Sequence, residues 1–368
     1  MKRALVLAPA ALALLGAGFL LGRPGKEAPA PPRPAAVRVF PGAPAEGVIR
    51  ESVIRHFEVG KEPDPLRTLA ERLRASFGEL NDAEILHARD RLARLLEERP
   101  GAALELALLF EQETDEDVLL LLAQVLGADA DAMAEPAVVD LMARIAESGK
   151  VPAGRGGALL VLMNLPRLDD RVTRTVLGLA GSAAEHPDLR ASAIATAAAW
   201  MQAHPEGVTP ISAALLDVAR SATDADLRGH AIQAVSLVDR KLDPGQVESL
   251  AAFLGDADAR TRSLAALGLG SVSAEARPAA LRHLEGAIAV ETSAEGQRGL
   301  LVHLVRAGGP EAEAALARVG ERSPRLAEDV RDYLDLLKTE RDPDRLWELK
   351  QRRDLARGVV PGADTHTD

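Results

Sequence analysis

Cysteine is absent from all 368 residues. That removes disulfides, thiolate metal sites, cysteine nucleophiles and acylation of an N-terminal cysteine, so stability has to come from packing. Aromatic residues are nearly as scarce, with six Phe, two Trp and one Tyr. Hydrophobic residues still make up 47% of the chain. A core filled by Ala, Leu and Val suits closely packed helices better than a β-sandwich or barrel. Positive charge is short as well: 44 Lys and Arg stand against 55 Asp and Glu, a net charge of −11, and only seven of the 44 are Lys. Nucleic-acid binders show a basic face to phosphates, and single-strand binders add aromatic stacking platforms. With neither in supply, no nucleic-acid partner is expected.

Motifs of catalysis are missing too. There is no G-x-S-x-G, no G-x-x-x-x-G-K-[ST], no Rossmann glycine run and no H-E-x-x-H. The chain is read as a non-enzyme, with no catalytic residue, no cofactor and no metal ligands assigned.

What is present begins at the N-terminus. Met1, Lys2 and Arg3 precede 19 uncharged residues, 4–22, and Arg23, Pro24 and Lys26 follow. A basic head before an apolar run signals export across a bacterial inner membrane. The run is longer than the usual signal-peptide core of about 7 to 15 residues and close to the roughly 20 of a spanning helix. A retained single-pass anchor, with the body in the periplasm, is favoured over cleavage and release. Gly18 and Gly22 have the spacing at which two membrane helices approach closely, although Gly and Ala are common throughout this leader. Residues 23–47 form a Pro/Ala-rich linker carrying Pro24, Pro29, Pro31, Pro32, Pro34, Pro41 and Pro44.

Beyond about residue 115 the chain repeats itself. Residues 186–200, 224–238 and 256–270 each carry Asp-x-Arg and then a small or apolar residue: Asp188/Arg190/Ala193, Asp226/Arg228/Ala231 and Asp258/Arg260/Ser263. With weaker copies, unit starts fall at 119, 155, 190, 228, 260 and 298, or 32 to 38 residues apart. First helices show apolar residues three or four apart, as in Leu227, Ala231, Ala234, Val235 and Val238. Second helices are announced by a cap and an early proline, Thr209-Pro210 and Asp243-Pro244. Helix–turn–helix units of this length form an α-solenoid.

These segments resemble the bacterial HEAT-like repeats described from phycobilisome lyases, over roughly 115–323. The resemblance implies an all-α, right-handed α-α superhelix. It also implies a structural ladder between adjacent units, pairing Asp188, Asp226 and Asp258 with Arg190, Arg228 and Arg260. Leu119 in place of Arg and Gly296 in place of Asp suggest that the ladder fades at both ends. Residues 48–114 read as an N-terminal helical cap, 324–357 as C-terminal capping helices and 358–368 as a disordered tail.

Several features invite a sharper chemistry than they support. The Asp pairs 129/131, 224/226 and 256/258 lack the Gly and Glu of a calcium loop and are better read as helix caps. His230, His283 and His303 sit in repeat helices but form no metal pattern. Gly154-Arg155-Gly156-Gly157 is read as a turn rather than a phosphate loop. Glu111, Glu113, Asp115, Glu116 and Asp117 read as a solvated turn. Trp347, in a charged terminal helix, could anchor a partner if exposed, but core packing against the last repeat is the favoured reading.

A solenoid's second helices, here near 136–147, 170–180, 210–220, 244–254, 276–289 and 311–320, present a long concave face. The functional expectation is a non-catalytic protein-binding scaffold tethered to the membrane through residues 4–22. The rival readings are a ligand- or chromophore-handling lyase-like enzyme and a structural envelope spacer.

Overall fold

A computed structural model describes residues 49–58, 64–237 and 242–357. The leader, the linker and the tail lie outside them. The described residues are all-α, with one isolated bridge between Leu242 and Val272. No helix among them is long and apolar enough to cross a membrane. The chain divides into two compact units, Met1–Val208 and Thr209–Asp368.

In the first unit the helices are α1 (Glu51–His56), α2 (Pro65–Ser76), α3 (Asp82–Glu98), α4 (Ala102–Gln112), α5 (Glu116–Ala128), α6 (Ala130–Ala134), α7 (Pro136–Ser148), α8 (Pro152–Leu162), α9 (Asp170–Gly181) and α10 (Pro187–Ala203). They alternate between two layers. One layer stacks α3 on α5, α5 on α8 and α8 on α10, while the other stacks α2 on α4, α4 on α7 and α7 on α9. This alternation already runs through residues 65–112, ahead of the point where the repeat is visible in the sequence.

The second unit holds α11 (Val208–Ser221, beginning at the division), α12 (Ala225–Ser236), α13 (Pro244–Ala251), α14 (Ala259–Leu269), α15 (Arg277–Val290), α16 (Ala294–Ala307), α17 (Gly309–Arg322), α18 (Ala327–Leu336) and α19 (Pro343–Ala356). Again α12, α14 and α16 stack in one layer and α13, α15 and α17 in the other. The repeated hairpin is the building block of both units, and the fold is an all-α helical repeat.

Local chemistry starts many of the helices where they begin. Asp64, Asp115, Asp129, Asp169, Asp224, Asp243, Asp258 and Ser293 each accept a hydrogen bond from a backbone N–H in the first turn of the helix they open. Asn81 and Glu84 form a reciprocal capping box at the start of α3. Glu84 is wholly buried and receives Arg50 on both oxygens, at 2.7 and 2.8 Å. The Arg50 hydrogen bonds, opposed by burial and helped by backbone amides, lower the Glu84 carboxyl to about 2.

Between repeats, side chains of α10 and of His204 just beyond it reach backbone carbonyls at and after the end of α8. Thr196 donates to the Leu159 carbonyl at 3.1 Å and the Trp200 indole to the Leu162 carbonyl at 2.8 Å. His204 meets the Leu165 carbonyl at 2.8 Å. Trp200 is fully buried, so its one polar group needs that partner.

The run 154–157 is not a turn, which corrects the sequence reading. It lies inside α8, where Pro152 occupies the first turn. A methyl group at Gly157 would come within 3.0 Å of the buried Phe110 ring. Its glycine therefore serves close helix packing. The acidic turn also departs from expectation at Glu113. That side chain is buried, held by Arg74 at 2.7 Å, and accepts the backbone N–H groups of Thr114 and Asp115. Burial alone would raise Glu113, but the Arg74 and backbone hydrogen bonds outweigh it and hold the carboxyl below its ordinary value.

Candidate functional site

The last helices of the second unit gather charge, an open groove and an exposed aromatic. α19 packs on α16 and α18. It turns Leu346, Lys350 and Arg353 inward at helical spacing. Lys350 is 4% exposed, yet its ammonium is surrounded by carboxylates: Asp354 at 2.5 Å, Asp329 at 2.8 Å and Asp332 at 3.7 Å. It also stands 5.9 Å from the centre of the Tyr333 ring. Asp332, buried as well, takes Arg357 at 2.6 Å and Arg353 at 3.2 Å. Arg298 of α16 reaches Asp329 at 3.3 Å.

Buried charges persist only when paired and hydrogen-bonded, and here each one is. Burial pulls the Lys350 ammonium down, but its hydrogen bonds to Asp329 and Asp354 outweigh it and hold the group above its ordinary value. Burial likewise pushes Asp332 up, and the Arg357 and Arg353 hydrogen bonds hold it below the usual carboxylate range. Neither group exchanges a proton near neutral pH. The cluster is an ionic clamp that fixes α19, not an acid–base pair.

Beside the clamp an open groove of about 740 Å³ runs along α17, α18 and the edge of α19. Ala317, Gly320, Ala327, Val330 and Leu334 supply its apolar surface, with Lys338, Asp335, Arg353 and Arg357 among its charged residues. On α19 itself, Trp347 is 47% exposed and Leu355 58% exposed. This exposure corrects the core packing that the sequence reading favours for Trp347. Trp347 faces away because Leu346 and Lys350 take the inward stripe.

Elsewhere the site residues anticipated from sequence play structural parts. Arg260 lies 3.6 Å from Asp226 of the preceding repeat, the nearest approach within the expected ladder set. Arg228 instead pairs with Asp256 at 2.9 Å, and Arg190 donates to the Ala180 carbonyl at 3.0 Å. Asp258 caps its own helix, and Asp188 is exposed beside His186. A second set of rungs joins the other layer: Arg144–Glu111, Arg171–Asp140, His283–Glu248, Arg318–Glu285 and Arg341–Glu313. In each, the basic residue follows its acidic partner by 28 to 35 residues, about one repeat. The sequence reading missed this set because each partner alone looks like an ordinary solvated charge.

His230, His283 and His303 go to separate surroundings, and no group of three His, Asp or Glu among the described residues is arranged to hold a metal ion. In the first unit Asp64 and Glu105 interact. Burial raises both, and their mutual hydrogen bond lowers Asp64 and raises Glu105, with Arg67 and Arg99 alongside. Splitting of two carboxyls is the pattern acid–base chemistry uses. Here the cap on α2 and Arg67 at 3.5 Å help hold Asp64 down, burial and the Asp64 hydrogen bond hold Glu105 up, and Arg99, 3.3 Å from Glu105, opposes that rise.

No protein-family model and no curated protein matches the chain. Among solved structures, a crystal structure of an engineered protein from the Northeast Structural Genomics Consortium is similar at 16% identity, covering 87% of this chain and 96% of its own, with a TM-score of 0.44. A second engineered protein from the same consortium is 17% identical, covering 69% of this chain and 97% of its own, with a TM-score of 0.28.

Proposed function

We propose that the chain is a non-catalytic, HEAT-like protein-binding scaffold, exported and held at the bacterial inner membrane by residues 4–22. The observation that carries the binding role is the groove at the end of the second unit. Most of its exposed surface is apolar although seven of its twelve lining residues are charged, and Asp332, Arg353 and Arg357 of the clamp form one of its walls. An apolar segment of a partner protein gains by leaving water in such a groove, and a preformed wall limits the ordering cost of binding. The acidic composition and the shortage of aromatics favour a protein over a nucleic acid or a large flat ligand.

The test is crosslinking and affinity capture of the full-length protein from its own membranes, beside an Ala317→Arg variant. Ala317 is exposed in the groove, so the arginine fills the site without entering the core. A stoichiometric protein partner recovered by the parent and reduced at least tenfold by the variant supports the scaffold. Equal recovery by both moves binding off the groove. Recovery of a co-purifying small molecule in place of a protein overturns the scaffold in favour of the ligand-handling reading.

A further inference from the structure

The outward face of α19 lies away from the clamp and carries its own pattern. Trp347, Gln351 and Leu355 fall on one i, i+4 ridge, and Glu348 and Arg352 fall on the adjacent ridge. Trp347 and Leu355 are two of the few large apolar residues exposed among the described residues. Most other charges of this helix are engaged: Arg345 with Glu340, Lys350 and Asp354 with each other, and Arg353 and Arg357 with Asp332. Glu348 and Arg352 have no ion pair among the described residues, although one turn of helix separates them. An exposed acid and an exposed base therefore sit between two exposed apolar groups, in the order apolar, acid, Gln, base, apolar.

That order is its own complement under a two-fold axis. If two copies of α19 cross antiparallel at Gln351, Trp347 of each meets Leu355 of the other, since both lie about 6 Å along the helix from the centre. Glu348 of each then faces Arg352 of the other, with an axial offset of about 3 Å that long side chains span. A two-fold interface requires this reciprocity, in which residue i meets j and j meets i.

We propose that the exposed face of α19 is a self-association surface that pairs two copies of this chain antiparallel about Gln351. It is independent of the groove reading, because Trp347, Glu348, Arg352 and Leu355 are not among the groove residues. One helix face buries less than the roughly 1,600 Å² of a standard interface, so the pair is weak and reversible.

The cysteine-free chain allows a direct test on the full-length protein. Gln351→Cys places a thiol on the proposed axis, and Ala137→Cys, exposed on α7, reports random collision. Under a mild oxidant the Q351C chain should form disulfide dimer at least ten times faster than the A137C chain. Adding Glu348→Arg should reduce the Q351C rate to the collision level, and adding Arg352→Glu as well should restore it. All of these positions are exposed or half-exposed, and circular dichroism checks that each variant keeps its helix content. Equal rates for Q351C and A137C, or failure of the double charge swap to restore crosslinking, would overturn the proposal.

Discussion

Lys350 shows what a single residue decides. Removing one member of a buried charge set leaves the others unpaired, at a cost of about 3 to 5 kcal/mol. Lys350→Met should therefore destabilise the second unit by about 3 kcal/mol in urea unfolding, although methionine fills much of the same volume. A loss below about 1 kcal/mol would mean that Arg353 and Arg357 carry the clamp alone. His303 gives a prediction of pH dependence. Burial first, and then Arg306, lower its imidazole to about 4. Between the ordinary value near 6.5 and about 4, the unfolded chain holds a proton that the folded chain does not. Stability should fall as pH drops through that window, by at most about 3 kcal/mol, and level off below it. His303→Leu should remove the slope, which melting curves at about pH 7 and about pH 4.5 would reveal; an unchanged slope would assign it to other groups.

At the scale of elements, helix starts and helix contacts differ in how openly the sequence shows them. Many starts were legible because a cap is a local event, although α11 begins at Val208 and takes the expected cap pair Thr209-Pro210 inside its first turn. Asp243-Pro244, Asn81 three residues before Glu84, and the Asp of each Asp-Ala-Asp pair announce themselves within one turn. Contacts were not legible, because the residue a glycine must admit is distant in the chain. Gly268 in α14 is the clearest case: a methyl group there would lie 2.7 Å from Ser236 Oγ and 2.9 Å from Leu250 Cδ1. Gly268→Ala should destabilise the second unit by about 1 to 3 kcal/mol through overpacking, against a helix-propensity gain of under about 1 kcal/mol. Calorimetry showing a raised melting temperature would mean that α12 and α13 yield to the methyl. The run 154–157 was misread for the same reason, since nothing nearby in sequence reveals Phe110.

For the whole molecule, acidity makes a plain prediction. A labelled single strand of about 30 nucleotides at about 50 mM salt should show no saturable fluorescence polarisation with up to about 10 μM protein. Tight binding that weakens steeply with salt would require a basic surface that the composition does not suggest. Location can be checked with the same cysteine-free background. A thiol introduced by Ala137→Cys should react with a membrane-impermeant maleimide in cells with a permeabilised outer membrane. Reaction only after the inner membrane is broken would place the body in the cytoplasm.

By itself the sequence determined the class of the fold: helices, their starts, their spacing near one repeat and the absence of cysteine chemistry. These follow from periodicity and capping, which act over a few residues. Tertiary structure alone decided which charges are buried and which pair across repeats. Asp329, Asp332 and Lys350 look in sequence like members of solvated helices, and Glu113 like part of an acidic loop. Packing α19 against α16 and α18 buries Asp332 and Lys350 and half-buries Asp329, and only then does each require the others. The exposure of Trp347 is the other side of the same event, because the stripe that buries Lys350 turns the indole outward.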